Sequence, residues 1–156
     1  MMPLSRRTIV PALALILLSA GAVLAHHGYT GQYDTSRPIL LGGSVTRTTF
    51  APPHPVISVR VDLAEVPALD VDRPDEITGR LTVRPEDVGA VREIELSPVR
   101  DFFNLSERIR IGDRVMVVAL MNCRPPHQLR SSWIQLSDGE IISYTRGLHQ
   151  RADGCG

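Results

Sequence analysis

The chain has 156 residues, with 17 basic and 17 acidic side chains, five histidines and two cysteines. That length suits one domain with a modest core and not two. Near-neutral charge excludes a general nucleic-acid binder, which needs a basic field to displace the counterions around phosphates. Every basic residue is Arg, a bias read as an imprint of genome composition and not of function.

The first 25 residues have the three parts of a bacterial signal peptide in order. Arg6 and Arg7 make a positive start, an uncharged and largely apolar run extends from Thr8 to Leu24, and Val23-Leu24-Ala25 offers small residues to a signal peptidase. The run is at the lower limit for a membrane-spanning helix, so an uncleaved anchor is the weaker reading. Ser5-Arg6-Arg7-Thr8-Ile9-Val10 also fits a twin-arginine signal, which leaves the export route open between that pathway and the general one. Cleavage after Ala25 leaves 131 residues. Both lost charges are arginines, so the mature chain carries a net charge of −2. The expected organisation is a signal peptide over 1–25, a single β domain over 26–149, and a C-terminal tail over 150–156. The expected location is the periplasm or the medium.

Strand signals dominate the mature chain. Residues 39–50 are rich in β-branched side chains around Gly42-Gly43 and read as a strand with a glycine bend. Ala51-Pro52-Pro53-His54-Pro55 cannot continue it, because three prolines remove ladder donors, and forms a stiff loop carrying a histidine. Residues 56–63 follow, where Val59, Val61 and Leu63 alternate with Ser58, Arg60 and Asp62, the pattern of a half-buried strand. Prolines 67, 74 and 85 interrupt residues 64–90. Short strands are expected near 79–83 and 92–96, and one or two helical turns over 99–105. Asp70, Asp72, Asp75 and Glu76 read as a solvated loop. A Gly112-Asp113 turn then leads into the apolar run Val115–Leu120, and Ser137-Asp138-Gly139-Glu140 joins strands 133–136 and 141–144 as a hairpin. Five to seven short strands with at most one short helix predict an all-β fold, a small barrel or sandwich.

Cys123 and Cys155 are an even pair in an exported chain, which favours a disulfide tethering the tail. The competing reading makes Cys123 a thiolate metal ligand with His127, four residues on. Arg124-Pro125-Pro126 between them is read as a rigid extended spacer, which weighs against that reading.

The histidines are the main chemical resource. Cleavage after Ala25 would expose His26-His27 at the new N-terminus. His26 would then offer an α-amine and an imidazole together, and His27 a second ring. An α-amine with a pKa near 8 loses its proton to a metal at neutral pH. Nitrogen ligands of this kind suit Cu(II). His54 is the natural third ligand, and a fixed ligand lowers the ordering cost of a flexible terminus. Against this stands a plainer reading, in which the pair is a solvated tail and His54 bonds a strand end. His127 and His149 read as surface residues, with His127 a reserve ligand. No nucleophile elbow or phosphate-cradling loop is present in the sequence, and no catalytic residue is assigned. An oxidative copper enzyme is a distant reading, since one Trp and few aromatics leave little for a polysaccharide-binding surface.

The opening His26-His27-Gly28-Tyr29, the segment Tyr33-Asp34-Thr35-Ser36-Arg37-Pro38-Ile39-Leu40-Leu41-Gly42-Gly43-Ser44-Val45 and the loop Phe50-Ala51-Pro52-Pro53-His54 together resemble a family of small exported bacterial proteins of unknown function. Residues 111–117 and 133–139 resemble its Gly-Asp strand entry and closing hairpin. The resemblance covers about 26–63 and 105–145, and departs from the family's Asn-Pro-His loop in having Pro-Pro-His. It implies a small β-barrel of the oligonucleotide-binding (OB-like) type in an exported setting, supplies no activity, and makes His26, His27 and His54 look like one site. The expected function is therefore a periplasmic binding protein that holds a transition metal, Cu(II) favoured. The alternative is a non-metal module that binds a protein or envelope ligand.

Overall fold

A computed structural model describes residues 33–68, 81–97, 100–143 and 154–155. Residues 1–25, read above as a signal peptide, and His26, His27, His149 and the acidic residues between 70 and 76 lie outside the described residues. Strand β1 runs Tyr33–Thr49, β2 Val56–Val61, β3 Val91–Glu95, β4 Arg114–Asn122, β5 Leu129–Gln135 and β6 Ile141–Ser143. A single turn of helix, α1 (Arg100–Phe103), continues into a 3-10 turn at Asn104–Glu107. The all-β expectation with at most one short helix therefore holds. Among the described residues no helix is long and apolar enough to cross a membrane.

The strands form one sheet in the order β3-β2-β1-β4-β5-β6, and a parallel pairing of β3 with β5 closes β1 to β5 into a ring. That closure is short, Ile94 with Leu129 and Glu95 with Arg130. Just beyond it, the buried Ser97 hydroxyl donates to the Ser131 carbonyl at 2.7 Å. Phe102 and Leu105, both fully buried, bring α1 and the 3-10 turn into the core.

β1 starts six residues earlier than Ile39, where its apolar pattern begins, because Asp34 organises the chain locally. Its carboxylate accepts from the Ser36 amide at 3.0 Å and from Arg37 Nε at 3.0 Å. Pairing with β4 shifts register between Asp34 and Ile39, and pairing with β2 shifts between Val45 and Arg47. These irregularities bend a 17-residue strand so that it serves both neighbours. Both partners meet at Gly43, where an added Cβ would lie 1.9 Å from the Arg60 carbonyl oxygen. The glycine bend is thus a close approach of two backbones.

The apolar runs 39–41 and 115–120 have a physical cause. Ile39, Leu41, Val115, Val117 and Ala119 face the main core. Leu40, Val118 and Trp133 point to the opposite face and are covered by Leu81 with Val83. Residues 81–83 are held there by Thr82, whose carbonyl accepts from the Leu40 amide at 2.8 Å. Strands buried on both faces read as continuous hydrophobic stretches. Nearby, the 3-10 turn Pro85–Asp87 buries Asp87, which accepts from Arg84 at 2.8 Å and from Arg92 at 2.6 Å.

The two predicted turns form with their glycines in left-handed backbone, Gly112 at φ 97 and Gly139 at φ 88. One expectation is corrected. Arg124-Pro125-Pro126 is a tight turn and not an extended spacer, with the His127 amide donating to the Arg124 carbonyl at 2.9 Å. Antiparallel β4 and β5 must reverse the chain here, and the Asn122 amide closes the loop onto the Gln128 carbonyl at 2.8 Å.

Candidate functional site

His54 is delivered by the proline loop between β1 and β2, half-buried and one residue before the buried Pro55. The Leu96 amide donates to the Pro55 carbonyl at 2.8 Å, which fastens the loop to the end of β3. That contact sets His54 against Glu95, the last residue of β3, and the Nδ1 of His54 is hydrogen-bonded to Glu95 Oε1. A carboxylate can only accept, so Nδ1 carries the proton and a neutral ring keeps its lone pair on Nε2.

Glu95 is itself held on several sides. Arg130, near the start of β5, donates to Oε1 from Nε at 2.9 Å and from Nη2 at 2.5 Å. Gln128 donates to Oε2 at 2.5 Å. The Glu95 and Arg130 side chains are only 9% and 12% exposed, which makes this a largely desolvated ion pair. Arg130 Nη2 also lies 3.1 Å from His54 Nδ1, so the ring, the carboxylate and the guanidinium share one small volume. The negative and positive charges offset each other there, and the group presents little net charge to a ligand.

Tyr33 completes the cluster. Its ring centroid lies 5.3 Å from Arg130 Cζ, within cation–π range. Burial pushes the phenol above its ordinary pKa, an effect that Glu95 reinforces and that Arg130 and a hydrogen bond with Asn122 partly oppose. Tyr33 is thus a protonated, buried phenol at the first described residue of β1. The site is bordered by the β1–β2 loop with His54 and the β4–β5 loop with Gln128.

Of the three proposed metal ligands, His54 alone lies in the described part of the chain. His26 and His27 precede it. Among the described residues no three His, Cys, Asp or Glu side chains group as a metal set, so a metal at His54 needs ligands from elsewhere. His127 is exposed, with Nδ1 against the Asn122 carbonyl at 3.0 Å. Cys123 and Cys155 are joined as a disulfide, Cα to Cα 5.3 Å, and neither acts as a thiolate ligand in this state.

Residues 14–73 match a family model described as a family of unknown function, DUF6152. The DUF6152 match spans β1, β2 and the loop that carries His54, which is less than half of the chain, and it brings no activity with it. No curated protein matches the chain.

Glu95, Arg130, Gln128 and Tyr33 were not picked out by sequence reasoning. One signal was available for Glu95: a single carboxylate between Ile94 and Leu96, both fully buried, at a strand end. Nothing local marks Arg130, whose partner lies 35 residues away in the chain.

Proposed function

We propose that this chain is an exported, periplasmic binding protein that holds a transition metal ion, Cu(II) favoured, through His54 together with His26 and His27. The observation that carries the reading is the His54–Glu95 pair. Metal-binding histidines characteristically donate their second ring N–H to a carboxylate, which fixes the tautomer and raises the basicity of the ligating nitrogen. Glu95 stands in that relation to His54, and Arg130 and Gln128 hold Glu95 in place. Nε2 of His54 would be the ligating atom.

The N-terminal histidines are within reach of such a site. Tyr33 lies six positions after His27, and six residue steps of extended chain span about 20 Å. Tyr33 is itself in contact with Arg130, which touches His54. Two imidazoles and an α-amine would add to His54 a nitrogen-rich set of the kind that suits Cu(II). An offset Glu95–Arg130 pair keeps the guanidinium from repelling a cation.

The test begins with mass spectrometry of the exported chain, to establish whether it starts at His26. Electron paramagnetic resonance of the Cu(II)-loaded processed chain then reads the ligands directly. The expected spectrum shows nitrogen ligation that changes in His54→Ala and in a chain extended by one residue before His26. A spectrum indifferent to both changes contradicts the metal reading and leaves the non-metal module as the better account.

A further inference from the structure

The Cys123–Cys155 disulfide lies beside the site and not at a remote corner of the fold. Cys123 directly follows Asn122, which pairs with Tyr33 across β1 and β4. It also lies in the β4–β5 loop, whose other end supplies Gln128 to Glu95 and leads into Arg130 of β5, the second donor to Glu95. Inside that loop the Arg124 amide donates to the Asn122 side chain at 2.9 Å, and His127 Nδ1 contacts the Asn122 carbonyl. On the other side of the disulfide, Gly154 packs against the start of β1, where an added Cβ would sit 3.3 Å from Ser36 Oγ. The disulfide therefore fastens two things together: the loop that orients Glu95, and a strap, Gly154-Cys155, laid over Asp34 and Ser36. Cys155 is exposed and Cys123 half-buried, so a reductant meets Cys155 first.

We propose that this disulfide is a redox lock on the His54 site, closed when oxidised and slackened when reduced. The partner reaction is thiol–disulfide exchange with a dithiol. A thiolate of the dithiol bonds to the Cys155 sulfur as the Cys123–Cys155 bond breaks and Cys123 leaves as a thiolate. The second thiol of the reductant then attacks the mixed disulfide and releases Cys155. Two electrons and two protons pass to the protein, which ends as two thiols, while the dithiol ends as a disulfide. Without the covalent tie, residues 154–155 lose their anchor at β1, and the loop 123–128 is held only by its hydrogen bonds, within itself, to Asn122 and from Gln128 to Glu95. Gln128, Glu95 and through it His54 are then less firmly oriented. The consequence for metal affinity rests on the metal-binding reading, whereas the consequence for local order does not.

The experiment therefore has two arms on the full processed chain. Amide hydrogen exchange is compared between the oxidised protein, the dithiol-reduced protein and the Cys123→Ser/Cys155→Ser variant, with Gly154→Val as a form that keeps the disulfide but crowds the strap. Local exchange at Ser36, Asn122 and His127 is expected to quicken by about tenfold or more on reduction, with Val117 and Ile57 in the core strands much less affected. The His54 imidazole resonances should shift as well, and Gly154→Val should move the same signals less far. Unchanged signals at those positions overturn the lock, and the reduced protein and Gly154→Val decide the question if the serine variant does not fold. In the second arm Cu(II) is titrated into the oxidised protein and the serine variant, which has no thiols to compete, and the variant should bind about tenfold more weakly. Equal affinity with unchanged exchange sinks the lock and spares the metal reading. Altered exchange with no Cu(II) binding by either form does the opposite.

Discussion

Replacing Arg130 by Met isolates the energetics of the site. The guanidinium makes two hydrogen bonds to Glu95 Oε1, at 2.9 and 2.5 Å, in a setting where the side chains are 12% and 9% exposed. Removing one partner of a buried pair leaves the other charge uncompensated, which typically costs about 3–5 kcal/mol. Gln128 and His54 still contact Glu95, which lowers the expectation. Loss of the Tyr33 contact adds about 0.5–1 kcal/mol. The expected total is about 3 kcal/mol, a large share of the ~5–15 kcal/mol that holds a typical domain together. Arg130→Met combined with Glu95→Leu removes both charges and should cost only about 1–2 kcal/mol, less than the single change. Equilibrium urea unfolding reads this directly, because the chain has one Trp and Trp133 is buried in the fold. If the double variant is less stable than Arg130→Met by the full cost of Glu95→Leu alone, the two residues are not coupled, and the ion pair does not organise the site as argued.

Three further outcomes follow from the same structure. Gly43→Ala should lose about 3 kcal/mol or fail to fold, since its Cβ would collide with the Arg60 carbonyl; a thermal melt near that of the parent would contradict the close backbone approach. Burial works against the charge of Asp34, but the bonds from Ser36 and Arg37 outweigh it and hold the carboxyl below its ordinary pKa. Its contribution is therefore present above the unfolded value near 3.9 and is lost as pH falls through the folded one. Asp34→Asn should accordingly be less stable by about 1–2 kcal/mol at pH 7, with the difference shrinking below pH 4 in paired unfolding curves, and a difference that ignores pH would refute the assignment. Loss of the disulfide, which spans a separation of 32 residues, should cost about 3–4 kcal/mol in the serine variant measured by urea unfolding.

Much of the fold could be read from local pattern, because period-two alternation and turn residues report on the nearest neighbours in the chain. Val59 and Val61 against Arg60, Gly112-Asp113 before β4, and Gly139 in the β5–β6 turn all act within a few residues. The extension of β1 back to Tyr33 was not legible as a strand, since it depends on Asp34 bonding Ser36 and Arg37 ahead of the apolar run. The role of residues 81–83 was equally hidden. Covering Leu40 and Trp133 is a tertiary event, and the continuous apolar runs signalled only that something had to cover them. At the site, His54 was visible as a histidine on a proline-stiffened loop between two strands. Its setting was not, because Glu95 lies 41 residues from His54 and 35 from Arg130. A buried carboxylate shows its meaning only when the partners that neutralise it are brought together in space.

His54, oriented by Glu95, is proposed as a metal ligand together with the processed N-terminus. Isothermal titration of Cu(II) into the processed wild-type chain, and into His54→Ala and Glu95→Gln, tests it most directly. The expected result is one tight site in the wild type, a loss of about tenfold to a hundredfold in affinity for Glu95→Gln, as for other carboxylates that orient metal-binding histidines, and a larger loss for His54→Ala. An affinity that is the same in all three proteins, or no binding by the wild type, would contradict it.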